Sequence, residues 1–198
     1  MRVLMLLAVL VTLTGCAVSS AFEASPEEIA AKVYVPNGPP KLTIFTMVNN
    51  ETGHGGHTAL MVSGSQQVIF DPAGSFQHEL VAERGDVLYG ISPAWVQAYK
   101  SAHARSTHHV VSQEIVVTPE QAERALQLVR QNGAVAGAFC TNSTSSILQQ
   151  VPGFEDIQVT FYPIKFMNQI EARPDVVTDR YFENDAGDVR DGIEAAQS

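Results

Sequence analysis

Strand signals and helix signals are separated along this chain, and that separation limits the folds open to it. Within residues 42–117 the apolar runs are short, rich in β-branched residues and closed by turn clusters. Residues 42–48 read as a strand that stops at Asn49-Asn50-Glu51-Thr52-Gly53. Residues 57–62 and 68–71 form a hairpin about Ser63-Gly64-Ser65, by their lengths and turn chemistry. Residues 87–91 give a further short strand, Ser92-Pro93 opens a helix carrying Trp95 and Tyr99 on one face, and residues 108–117 are a long β-branched strand. Helices then dominate. Thr118 caps a helix with Pro119 in its first turn and Gln121 three residues on, and Ala122, Ala125, Leu126 and Val129 line one face up to Gly133. Residues 140–150 read as a second helix, stopped by Pro152-Gly153. A third follows Pro163, with Phe166, Met167 and Ile170 turned inward. The class is α+β: an antiparallel sheet with packed helices.

The ends of the chain have a different character. Arg2 followed by the apolar run from Val3 to Val11 reads as a secretory signal over residues 1–15. The run is shorter than the roughly 20 apolar residues that span a bilayer. Leu13-Thr14-Gly15-Cys16 resembles the bacterial lipobox. The resemblance implies that Cys16 is the lipid attachment site and the first mature residue, its triacylation supplying the several chains that stable anchoring needs. Ala17, rather than aspartate, follows that cysteine. By the same resemblance this places the protein in the bacterial cell envelope, at the outer membrane facing the periplasm. Residues 16–41 read as a lipidated N-terminus and tether, with a short helix over residues 26–32 capped by Ser25. Residues 42–173 form the domain, and residues 174–198 an acidic tail, mobile or loosely packed. That tail carries seven acidic residues and two arginines out of a whole-chain net charge of −9. With no basic patch, nucleic acid is not an expected partner, and an anionic membrane surface does not attract the protein; the membrane is met through the N-terminal lipid.

Two cysteines occur in the chain. With Cys16 committed to lipid, Cys140 has no thiol to pair with in an exported protein. Gly137 and the polar run Thr141-Asn142-Ser143-Thr144 set Cys140 at a loop-to-helix transition. The helix dipole and unpaired backbone N–H groups there favour thiolate and can hold an oxyanion. The opposing reading is a small buried hydrophobe behind Phe139. A thiolate nucleophile needs a base and an orienting group. His57 begins a strand after Gly53-His54-Gly55-Gly56, and Asp71 ends the return strand, so pairing across the hairpin makes them neighbours at one edge of the sheet. His54 is the rival base. His54, His57 and Cys140 can alternatively be read as metal ligands, but no fourth ligand or paired motif accompanies them, and no cofactor or metal is expected. Of His108-His109 at most one side chain faces the site, and His78 and His103 read as surface residues.

The order His57, Asp71, Cys140 resembles the permuted branch of the papain-like NlpC/P60 superfamily, in which a histidine hairpin precedes the cysteine helix. Residues 56–62 resemble the histidine strand, Asp71 the third polar residue, and Phe139-Cys140-Thr141-Asn142-Ser143 the nucleophile at its helix start. Phe139 stands where that branch often has asparagine. The resemblance implies a circularly permuted papain-like fold and a cysteine hydrolase or acyltransferase with Cys140, His57 and Asp71 as catalytic residues. Cell-wall peptide amides (peptidoglycan) or acyl lipids are then the implied substrates. The competing expectation is a non-catalytic envelope lipoprotein, a binding or scaffold module, with Cys140 buried or distant from His57.

Overall fold

In a computed structural model the strands assemble into one antiparallel sheet that is covered on both faces. The structure describes residues 23–197 apart from Ser75 and Asp188; the expected signal and Cys16 lie outside the described residues. Five strands lie where the apolar runs predict them. They are β1 (Lys41–Asn49), β2 (Gly55–Ser63), β3 (Gln67–Phe70), β5 (Val87–Tyr89) and β6 (His108–Val116). Two more, β4 (Ala82–Arg84) and β7 (Val177–Tyr181), complete the order β4-β5-β3-β2-β1-β6-β7. The helices are α1 (Pro26–Ala31), α2 (Pro93–His103), α3 (Pro119–Asn132), α4 (Cys140–Gln149), α5 (Pro163–Glu171) and α6 (Val189–Gln197). The α+β class with an antiparallel sheet and packed helices is therefore what the chain adopts.

The burial of β1 follows from its position. Its interior residues are buried from Leu42 to Val48, because alternate side chains enter two separate cores. Leu42 and Ile44 join Leu60, Val62, Leu126, Leu148 and Phe166 in the core under α3, α4 and α5. Phe45 and Met47 join Ala59, Met61, Ile69, Tyr99 and Ala102 in the core under α2. Helix starts follow local chemistry: Ser25, Ser92 and Thr118 each accept a hydrogen bond from the N–H three residues on. Pro follows each of these caps as the first helical residue.

The two ends depart from the sequence reading. The tether expected over residues 16–41 is docked where it is described: Ile29 is buried in the first core, and the N–H of Gln67 donates to the carbonyl of Tyr34. The tail expected to be mobile or loosely packed is folded over most of its length. β7 pairs with β6 from Val110–Tyr181 to Glu114–Val177, and α6 buries Ile193 against the α2 core. The acidic residues are spent on specific partners: Asp179 on Lys100 at 2.8 Å, and Glu183 and Asp185 on the guanidinium of the buried Arg105. Composition suggested solvation; charge pairing and edge-strand addition won instead.

Gly192 is the contact point of α6. A Cβ there would overlap the Cα of Ala102 and the side chain of Arg105. Gly192→Leu is expected to cost about 1–3 kcal/mol by overpacking, read as a lower denaturation midpoint. A midpoint unchanged from wild type would mean that α6 does not dock on α2.

Candidate active site

The site forms where the beginning of β2 meets the end of β3. Strand register pairs Leu60 with Phe70, which sets Asp71 opposite Ala59 and on the same face as His57, two residues away along β2. The two are diagonal neighbours across the β2–β3 pair, at the end of strands that lie inside the sheet. The pairing of β1 with β2 shifts between Met47 and Val48, beside His57. Such irregularities re-aim side chains. His57 Nε2 lies 2.6 Å from Asp71 Oδ1.

Asp71 is only 1 % exposed, so its charge must be satisfied internally. Oδ1 also accepts the Tyr99 hydroxyl at 2.7 Å, and Oδ2 accepts the Phe76 N–H at 3.0 Å. Burial opposes the carboxylate, but His57, His103 and the Tyr99 hydroxyl outweigh it and hold the group well below the usual carboxylate range. Burial likewise opposes the His57 imidazolium; Asp71 and the Cys140 sulfur overrule it and raise the ring to about 10. With Nε2 given to Asp71, the imidazole and the Cys140 thiol act on each other's ionisation, His57 lowering the thiol and the sulfur raising the ring.

Cys140 is the first residue of α4, and Phe139 before it supplies no side-chain cap. This contrasts with the capped starts of α1, α2 and α3. The first backbone N–H groups of a helix have no intrahelical acceptor; at α4 the Ser143 N–H is the first to find one, the carbonyl of Phe139. The thiol is 8 % exposed. Burial raises it, yet His57, the Thr141 hydroxyl and the Thr58 N–H favour the thiolate and bring it down to about 7. Thr141 is itself fixed by Thr58, hydroxyl to hydroxyl at 3.0 Å. Thus the base comes from the sheet and the thiol from a helix packed on the face opposite α2.

Two residues of the site were not singled out for it from sequence. Tyr99 was read as part of an apolar helix face and His103 as a surface residue. Both are buried, four residues apart and so on one side of α2. His103 donates from Nδ1 to the Tyr99 carbonyl at 2.8 Å and stacks on His57, ring centres 6.0 Å apart. Burial pushes it down to about 4, so it stays neutral beside the His57 cation. The legible signal was the i, i+4 spacing of two polar rings on an otherwise apolar face. His78 is also buried, edge-on to Trp95. His54 is exposed in the loop before β2, and among the described residues no three His, Cys, Asp or Glu side chains are grouped to hold a metal. Of the adjacent pair, His108 approaches Gly56 and His109 bonds Asn50.

The chain matches no protein-family model, no curated protein and no solved structure.

The carboxylate at the base of this arrangement generates a stability prediction. Its pKa is depressed on folding, so it stabilises the fold above about pH 4, the unfolded value, and the stabilisation is lost as pH falls below that. Asp71→Ala strands His57 and Tyr99 and is expected to cost about 3–5 kcal/mol at pH 7. Chemical denaturation between pH 2 and 7 should show wild-type stability falling on the acid side, with a flatter profile in the variant.

Proposed function

We propose that the protein is a lipid-anchored cysteine hydrolase or acyltransferase on a permuted papain-like fold, acting on an amide or ester through Cys140, His57 and Asp71. The observation that carries this reading is a single imidazole hydrogen-bonded to a buried carboxylate and near enough to the thiol at an uncapped helix start that the two shift each other's ionisation. The order of the three residues along the chain, histidine strand before cysteine helix, supports the permuted arrangement.

The chemistry follows from the protonation states. With the thiol lowered to about 7 and the imidazole raised to about 10, the thiolate–imidazolium pair dominates between these values. The sulfur attacks the substrate carbonyl carbon, forming a C–S bond while the carbonyl π pair moves onto oxygen. Backbone N–H groups at the start of α4 are placed to receive that oxyanion. His57 gives its proton to the departing amine or alcohol as the tetrahedral carbon collapses to a thioester. Water, or an acceptor nucleophile, then gives a proton to His57 and attacks the thioester, and the sulfur leaves as thiolate. Asp71 holds the ring through Nε2 throughout and takes no proton. A cell-wall peptide amide or an acyl lipid is the substrate class that the resemblance and an envelope location favour.

The near-complete burial of Cys140 is what a non-catalytic binding module expects, but a thiol lowered by His57 is not. Alkylation separates the two. Iodoacetamide labelling of Cys140 across pH 5–9 should follow an ionisation near 7. In His57→Ala it should slow at neutral pH and follow a midpoint moved toward the ordinary thiol value of about 8.5 or above. Slow labelling in wild type with an ordinary midpoint, unchanged by the mutation, leaves the binding module. Anchoring is tested separately: a fatty-acid label should enter the full chain in bacteria and be absent from Cys16→Ser.

A further inference from the structure

Asp86 occupies the tight turn between β4 and β5, with φ +62° after Gly85 at +58°. This backbone conformation is rare for residues with a Cβ, and Asp and Asn tolerate it best after glycine. The residue is 3 % exposed, which is unusual for a turn aspartate. Its contacts explain the burial. The backbone carbonyl accepts the Asp71 N–H at 2.8 Å. One carboxylate oxygen, Oδ2, accepts the Ala73 N–H at 3.0 Å and the Val135 N–H at 2.9 Å.

Those partners belong to the two segments that carry the site. Ala73 sits in the loop wrapped around the Asp71 carboxylate, where Gly74 N–H returns to the Asp71 carbonyl and Phe76 N–H to its Oδ2. Val135 sits in the connection from α3 to Cys140. That connection continues through a turn closed by Phe139 N–H on the Ala136 carbonyl and through Ala138 at φ +71°. The turn itself abuts the connection, since a Cβ on Gly85 would lie 3.3 Å from the Gly133 Cα. One oxygen atom therefore ties the orienting-carboxylate loop to the nucleophile's approach segment, two pieces of chain about 60 residues apart in sequence.

We propose that Asp86 is a positioning residue: its carboxylate sets the separation of the Cys140 thiol from the His57–Asp71 pair by fixing Ala73 and Val135 together. The inference rests on the proposed Cys140–His57 site. The groups that lower the thiol are His57, Thr141 and the Thr58 N–H, so Asp86 acts through backbone position and not through its charge.

The test measures the pH midpoint of Cys140 alkylation by iodoacetamide, at a temperature well below melting, in wild type and three variants. Asp86→Gly removes the carboxylate while suiting the positive φ. Asp86→Asn keeps an oxygen able to accept both N–H groups and removes the charge. Asp86→Glu keeps the charge and displaces the acceptor by one methylene. The expected result is a midpoint raised by about one unit or more in Asp86→Gly, through loss of the imidazole contact. Asp86→Glu should move in the same direction, and Asp86→Asn should stay at the wild-type value. A role confined to stability would lower the melting temperature of Asp86→Gly and leave the midpoint in place, which overturns the proposal. A raised midpoint in Asp86→Asn overturns it as well, because charge and not bridging would then matter. If Asp86→Gly does not fold, an unmoved midpoint in Asp86→Glu is the overturning result. An ordinary thiol midpoint in wild type, insensitive to His57→Ala, is a separate outcome that removes the cysteine-hydrolase reading and the positioning proposal with it.

Discussion

A carboxylate that is almost wholly buried sets the terms for the centre of this molecule. Isolated from water, Asp71 is sustainable only with several donors arranged around it, and each donor comes from a different part of the chain. His57 approaches from β2, Tyr99 from α2 and the Phe76 N–H from the loop after β3. Meeting the needs of one charge therefore fixes a strand, a helix and a loop relative to each other. The imidazole receives its orientation from the same constraint. Because Nε2 faces Asp71, the ring is held in one orientation before any substrate enters.

How far the sequence could be read differs between the sheet and its margins. β1, β2, β3 and β6 carry dense β-branched and aliphatic residues, and their limits differ from the reading by only a few residues. α3 was readable because Thr118, Pro119 and Gln121 form a capping signal that works locally. β7 was not readable. Its residues, Val177-Thr178-Asp179-Arg180-Tyr181, carry no apolar alternation and lie among acidic residues. Their partners, Lys100 and Arg105, lie some 80 residues earlier, and no local window contains both sides of such pairs. β4 is three residues long and carries no pattern at all.

The same distinction applies to the site. Cys140, His57 and Asp71 could be named because their chemistry and their places at element ends were visible one at a time. Tyr99 and His103 could not, because what makes them part of the site is burial against Asp71 and His57, a tertiary fact. Their spacing fits an apolar stripe equally well, and on most helices that is all such spacing means. His103 was misread for a related reason. Histidine is commonly exposed, and only the packing of α2 on the sheet reveals a neutral ring stacked on a cationic one.

The placement of backbone strain follows the same centre. Four non-glycine residues among those described have positive φ: Ala73, Asp86, Ala138 and Asp175. The first three flank the site, one after Asp71, one in the bridging turn and one two residues before Cys140. Each such residue costs about 1–3 kcal/mol and persists only where its surroundings over-determine it. An alanine at φ +81° or +71° has no side-chain interaction to offset that cost. The compensation must therefore lie in what the backbone achieves there. At Ala73 it turns an N–H toward Asp86 while the loop closes on the Asp71 carboxylate. At Ala138 it swings the chain into an abrupt helix start, so that α4 begins at the thiol itself with Phe139 turned outward. A gentler entry with a capping side chain would stabilise α4 by roughly 1 kcal/mol, but it would also occupy the backbone N–H groups that the start of α4 leaves open. The uncapped helix and the strained alanine before it are two expressions of one constraint: α4 has to begin abruptly, at the thiol itself.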